Sequence, residues 1–204
     1  KGQEFKMELP DGTIVWLNAD SKLEIGSGYN LQERAVFLTG EAYFKVAKNK
    51  AKPFIVHVGN TSIEALGTAF NVKLYANDSQ LLTTQLDEGK IRVSNAGLQQ
   101  VLLPGQSIEL NVQNGAFELL QDNSAQDAAN WKDGYFEFDQ TPLPEILADL
   151  ARWYNFTYSL SPVYNNKVLS GKISKKESFA EVLKILRFAG INYTIDKDRL
   201  VLEP

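Results

Sequence analysis

The chain has 204 residues, 44% of them apolar and 23% charged, a composition that allows one or two buried cores and argues against disorder. A formal charge of -4 with acidic and basic residues interspersed leaves no basic stripe, so nucleic acid is not an expected partner. The absence of cysteine excludes disulfides, thiolate nucleophiles and cysteine-based zinc sites. No apolar run reaches the roughly 18 to 20 residues of a membrane span, and Lys1 to Met7 lacks the apolar core of a signal peptide, so these residues are expected to be soluble.

Short apolar runs separated by turn dipeptides fill the first 120 or so residues, the pattern of an all-β sandwich or barrel. Asp11-Gly12 precedes a strand over Thr13 to Leu17, and Asn18 to Ser21 turn the chain towards Leu23 and Ile25. Val36, Leu38, Ala42, Phe44 and Val46 keep period two on either side of Gly40, where a missing side chain suits a bend or bulge. After a polar loop from Lys48 to Pro53, Phe54, Val56 and Val58 share one strand face, and Ile55 and His57 the other. Further strands are expected over Ser62 to Leu66, Phe70 to Tyr75, Leu81 to Leu86, Lys90 to Val93, Val101 to Leu103, Ser107 to Leu110 and Ala116 to Leu120, with turns at 87–89 and Pro104-Gly105.

The polar stretch QDNSAQDAAN marks a boundary, giving a β domain over residues 1–121, a linker over 122–130 and a second domain over 131–204. In the latter, Tyr135, Phe136 and Phe138 form a strand, and Pro142 opens a helix whose Leu143, Ile146, Leu147, Leu150 and Tyr154 follow the 3.6-residue period. Strands follow at Phe156 to Leu160 and Val168 to Ser174. A capping box, Ser178 to Glu181, starts a second helix that Gly190 stops. Ile191, Tyr193 and Ile195, then Leu200 to Leu202, complete a small βαββαββ domain of α+β type.

Candidate chemistry is sparse. His57 has no second histidine or cysteine with which to hold a metal and no strained elbow serine to activate. Asp87 and Glu88 fit a turn, and Gly26-Ser27-Gly28 lacks the lysine and helix of a phosphate loop. No catalytic residue, cofactor or metal is expected. Trp16, Trp131, Trp153 and eight tyrosines keep a glycan-binding module as an alternative, against a simpler reading in which they complete cores. Lys172, Lys175 and Lys176 form a positive group that could meet an acidic partner, or only a solvated loop. The terminal strand, Arg199 to Glu203, is read either as an edge offering backbone groups to a partner strand, with Tyr193, Ile195, Arg199, Leu200, Val201 and Leu202 as candidate contacts, or as a covered or solvated edge.

Several strings occur together and in order: LPDGTIVWLNADSKL from Leu9, RAVFLTGEAYFKVA from Arg34, PFIVHV from Pro53, LGTAFNVKLY from Leu66, LDEGKIRV from Leu86, LLPGQS from Leu102 and WKDGYFEFDQTPLPEIL from Trp131. In this register the chain resembles the FecR family of anti-sigma regulators, and its C-terminal part resembles the companion signalling domain seen in secretins and transducing TonB-dependent receptors. The resemblance implies an antiparallel, jelly-roll-like β-sandwich for the first domain. It further implies a periplasmic portion that hears the N-terminal signalling domain of a TonB-dependent outer-membrane transporter. Binding of an extracytoplasmic-function sigma factor would belong to a cytoplasmic region, joined through a membrane helix, that lies outside these residues. The motif residues Gly40, Glu41, Phe44, Gly67, Thr68, Phe70 and Asn71 are expected to be architectural: glycines where positive φ or a bend is needed, and Phe44 and Phe70 in the core. Asn18 and Asn71 are expected to satisfy backbone groups where strands cross, with a buried polar pocket as the alternative.

Overall fold

Period-two alternation of Val, Ile, Phe and Leu with polar residues produces twelve strands in the first unit of the computed structural model, which describes residues 2–31, 33–75, 80–121, 130–197 and 199–203. They are β1 (Phe5–Glu8), β2 (Ile14–Leu17), β3 (Lys22–Ile25), β4 (Arg34–Lys45), β5 (Phe54–Val58), β6 (Thr61–Ala65), β7 (Ala69–Leu74), β8 (Leu81–Glu88), β9 (Ile91–Asn95), β10 (Leu98–Leu102), β11 (Gln106–Asn111) and β12 (Phe117–Gln121). The sequence pattern had not indicated β1, whose FKME is mostly exposed. The chain divides into two compact units, Glu4–Ala129 and Asn130–Pro204 with Lys1–Gln3. The expected linker, Asn130 excepted, lies outside the described residues; Asn130 itself opens a 3-10 turn, Asn130–Asp133.

The 12-residue strand β4 belongs to two half-sheets. Its first half lies between β3 and β5 and continues through β6, β9 and β10; its second half lies between β2 and β7 and continues through β8, β11 and β12. The passage falls at Gly40, with φ +94°. A Cβ there would stand 2.9 Å from Ser21 Cα and closer still to its Oγ. Inward side chains of both halves form one cluster, in which Phe44 lies 5.3 Å from Phe70 and 5.7 Å from Phe54 between ring centroids.

One pairing departs from the expected antiparallel sandwich, since β5 runs parallel to β4, with Arg34 opposite Phe54 and Phe37 opposite His57. The physical reason lies in segment 46–53, which returns the chain from the end of β4 to the level of its start. The Arg34 side chain, 0% exposed, ties that segment down. Its Nε donates to the Lys52 carbonyl at 2.9 Å and its Nη1 to the Ala47 carbonyl at 2.8 Å, while the Arg34 backbone N–H donates to the Pro53 carbonyl at 3.0 Å. Nη1 also meets Asp11 Oδ2 at 2.7 Å, and the guanidinium lies 5.7 Å from the Phe54 ring centre. Asp11 in turn accepts from the Thr13 N–H and hydroxyl at 3.1 and 2.7 Å and from the Tyr29 hydroxyl at 2.8 Å.

In the second unit, β13 (Tyr135–Pro142), α1 (Leu143–Tyr154), β14 (Thr157–Leu160), β15 (Val168–Ser174), α2 (Phe179–Phe188), β16 (Tyr193–Asp196) and β17 (Arg199–Leu202) give the order βαββαββ. β13 pairs with β15, interrupted by a bulge at Gln140, and β14, β17 and β16 form a separate three-stranded sheet. The apolar stripes of both helices, Leu143, Ile146, Leu147 and Leu150 on α1 and Val182, Leu183 and Leu186 on α2, enter one core. Ser178 Oγ accepts the Glu181 N–H at 3.2 Å; the Glu181 carboxylate binds Lys184 at 2.6 Å, so the expected capping box is half formed.

Two outcomes are expected. Gly40→Ala forces a side chain into Ser21 at positive φ and lowers the free energy of unfolding by about 2 kcal/mol or more, read by denaturant titration. For Asp11, burial pushes the carboxyl up, but the hydrogen bonds from Thr13, Arg34 and Tyr29 outweigh it and hold the group below its ordinary value of 3.8. Its folded pKa is depressed, so its contribution is complete above the unfolded value and is lost as pH falls through the folded one. Asp11→Asn should therefore be less stable than the native chain at neutral pH, and the gap should close below pH 3.8 in acid-unfolding curves.

Candidate interaction surfaces

The terminal strand is not an edge. β17 is paired on both sides, with β14 in parallel (Thr157 opposite Arg199) and with β16 antiparallel (Asp196 opposite Arg199), so its backbone groups are spent within the sheet. Leu200 and Leu202, expected as contacts, are 2% and 1% exposed and belong to the core, because helix packing on one face of this sheet claims them. Val201 is half-buried on the other face, and Arg199 is exposed. The sheet ends at β14 on one side and at β16 on the other. On β16 Tyr193 packs at the core margin, with Arg187 4.6 Å from its ring centre, and Ile195 is 59% exposed. On α2, Phe188 is 96% exposed and Ile185 sits three residues before it, an apolar pair off the core stripe that a helical wheel of the sequence would have revealed.

The expected lysine group is divided by the fold. Lys175 is buried, donates from Nζ to the Trp131 carbonyl at 3.0 Å and lies 4.9, 5.2 and 5.4 Å from the ring centres of Trp153, Phe136 and Trp131. That is an internal cation–π enclosure, so Lys175 does not present its charge to a partner. Lys172 binds Glu137 at 2.8 Å and lies 4.8 Å from the Tyr135 ring centre, and Lys176 is exposed. Two of the three tryptophans weighed as a sugar platform thus surround a lysine. Trp16 packs edge-on to Tyr43 at 5.6 Å with the Lys6 ammonium 4.8 Å above it. His57 stacks on Phe37 at 5.0 Å, and no group of three acidic, histidine or cysteine side chains among the described residues could hold a metal.

The motif residues fall on β4 (Gly40, Glu41, Phe44), in the turn before β7 (Gly67, Thr68) and on β7 (Phe70, Asn71). Phe44 and Phe70 are buried in the core cluster, and Gly67 has φ +130°. The Glu41 carboxylate accepts from Asn18 Nδ2 at 2.7 Å and Asn71 Nδ2 at 2.9 Å, while its backbone N–H donates to Ser21 Oγ at 2.8 Å. Both asparagine side chains thus donate to a buried carboxylate, and Asn18 Oδ1 also accepts a backbone N–H, that of Ala19 at 2.8 Å, as expected. Arg34 and Asp11 were present in the quoted strings but had no assigned role. The available signal was phase: Arg34 stands in register with Val36 and Leu38, on the face that turns inward.

Core and surface assignments on the last sheet separate by mutation. Leu200→Ala should cost about 2–5 kcal/mol of stability, and Ile195→Ala less than about 0.5 kcal/mol, in parallel thermal or urea unfolding experiments.

Comparison with known proteins agrees with this architecture. The family model for "FecR protein" matches residues 1–92, and that for "FecR, C-terminal" matches residues 135–202. A crystal structure of a "putative anti-sigma factor" from Parabacteroides distasonis superposes with a TM-score of 0.87 at 32% identity, over 99% of this chain and 95% of that one. A second crystal structure of a protein described in the same words, from the same organism, gives a TM-score of 0.85 at 32% identity, over 98% and 94% of the two chains. No curated protein matches. No helix among the described residues is long and apolar enough to cross a membrane. With both units matched and a relative aligned over nearly its whole length, the chain belongs to the FecR family of anti-sigma factors.

Proposed function

We propose that this chain is the periplasmic sensor portion of a membrane-anchored FecR-type regulator, relaying a signal from a TonB-dependent outer-membrane transporter to an extracytoplasmic-function sigma factor. The second unit receives the N-terminal signalling domain of the transporter, and a cytoplasmic region of the regulator handles the sigma factor. The observation that carries this reading is the family match over the second unit together with its edge strand β16, which among the described residues has a paired neighbour on one side. The hairpin register sets Asp196 opposite Arg199, and in a two-residue hairpin that flanking pair exchanges hydrogen bonds. Tyr193 and Ile195 then turn their backbone groups to the free side, where a strand of the signalling domain can add. Ile195 supplies exposed apolar surface on this edge, and Phe188 supplies more on α2. Of the six candidate contacts, Tyr193 and Ile195 are retained on this edge, Leu200 and Leu202 are assigned to the core, and Arg199 and Val201 flank it.

Ile195→Pro removes an outward N–H without breaking a ladder bond. The variant should keep its thermal midpoint within a few degrees, lower affinity for the transporter's signalling domain by about tenfold or more in isothermal titration, and silence a sigma-dependent reporter. A native chain that does not bind the signalling domain, or a proline variant that binds it unchanged, contradicts the proposal.

A further inference from the structure

On the first unit, the face of β5, β6, β9 and β10 turned away from the core carries a cross-strand row: Ile55 opposite Glu64, Glu64 opposite Arg92, and Arg92 opposite Val101. At the end of that row the chain turns through Leu66, Gly67 and Thr68, and a groove of about 330 Å³ opens there. Its apolar walls include Leu66 and Val101, both exposed, above Ile91. Thr68 also lines it, buried and with a hydroxyl that finds no hydrogen-bond partner. The groove exists because residue 67 is glycine: a Cβ at its φ of +130° would fall 3.0 Å from Lys48 Cα, so any side chain would displace the loop that forms one bank.

Charge around the groove is one-sided. Glu64 is matched by Arg92 at 3.1 Å, whereas Lys48, Lys50 and Lys90 are exposed and make no ion pair among the described residues. Three ammonium groups therefore ring an apolar floor. Alongside runs β10, the last strand of its half-sheet. The tight turn at Ala96 and Gly97, with φ +43° and +90°, sets Asn95 opposite Leu98 as the hydrogen-bonded pair. By alternation, Gln99 and Val101 point their backbone groups away from β9. Among the described residues the Val101 carbonyl accepts only a local bond from the half-buried Gln100 amide, at 3.0 Å, which an incoming N–H can replace.

We propose that this corner docks an extended, acidic segment of a partner polypeptide, which adds along β10, lays an apolar side chain over Leu66 and Val101, and sets flanking carboxylates against Lys48, Lys50 and Lys90. The combination of a strand edge with a basic, apolar-floored groove is what selects a polypeptide over a small anion: the edge reads backbone, the floor reads one side chain and the lysines read its neighbours. This surface lies on a different unit from β16 and does not depend on the transporter reading.

The probe is a fluorescein-labelled heptapeptide with glutamates at alternate positions around a central leucine, titrated against the whole chain by fluorescence anisotropy at low and high salt. Saturable binding that weakens with salt and falls by about tenfold or more in the double variant K48E/K90E, with an unchanged thermal midpoint, is the expected result. Methylation of the peptide's backbone nitrogens should abolish it. Absence of saturable binding overturns the proposal, as does equal affinity in the double variant. Retained binding of the methylated peptide, or displacement by octanoate at concentrations similar to the unlabelled peptide, overturns it in favour of a small-anion site.

Discussion

A single buried guanidinium determines how the first unit closes. From Arg34 to Ala47 is 13 residue steps, which would span roughly 40 Å in a straight strand, yet the Arg34 side chain donates to the Ala47 carbonyl at 2.8 Å. β4 must curl for that bond to exist, and the curl requires Gly40. The same guanidinium reaches the Lys52 carbonyl and the Asp11 carboxylate, so one side chain joins the first turn, the start of β4 and the crossover into β5. An arginine held this way cannot be removed without stranding Asp11 and several carbonyls away from water, a loss of about 3–5 kcal/mol for a broken buried pair. Parallel pairing of β4 with β5, unusual in a fold built mainly of hairpins, follows from that crossover.

Much of this was legible in the residues, and the limits have physical causes. Alternation located nearly every strand because the inward positions of a sheet must be apolar, and the turns at Asp11-Gly12 and Pro104-Gly105 need particular dihedrals. Strand order was not legible. Nothing in the spacing of Leu200 and Leu202 shows that β14, some forty residues earlier, pairs in parallel and converts a terminal strand into a central one. Alternation also assigns Glu41 and Asn71 to the polar face, yet both are buried, because their hydrogen bonds to one another and to Asn18 form across strands far apart in sequence. Lys175 illustrates the same limit: a lysine in a charged cluster reads as solvated until Trp131, Phe136 and Trp153 are seen around it.

The two units place exposed function differently. In the second unit, helices cover one face of a three-stranded sheet and leave β16 at its margin, a strand edge with apolar neighbours. In the first, the interior is shared between two half-sheets, and the features open to a partner are at a corner where glycine allows two loops and a strand end to meet. Neither surface contains a group of three acidic, histidine or cysteine side chains that could hold a metal among the described residues. Both present backbone and shape, which suits recognition of polypeptide.

Because β4 passes from one half-sheet of the first unit into the other and their inward side chains share one core, opening either half exposes apolar side chains that pack against the other. Amide exchange from the two sides is therefore expected to be coupled through that shared core.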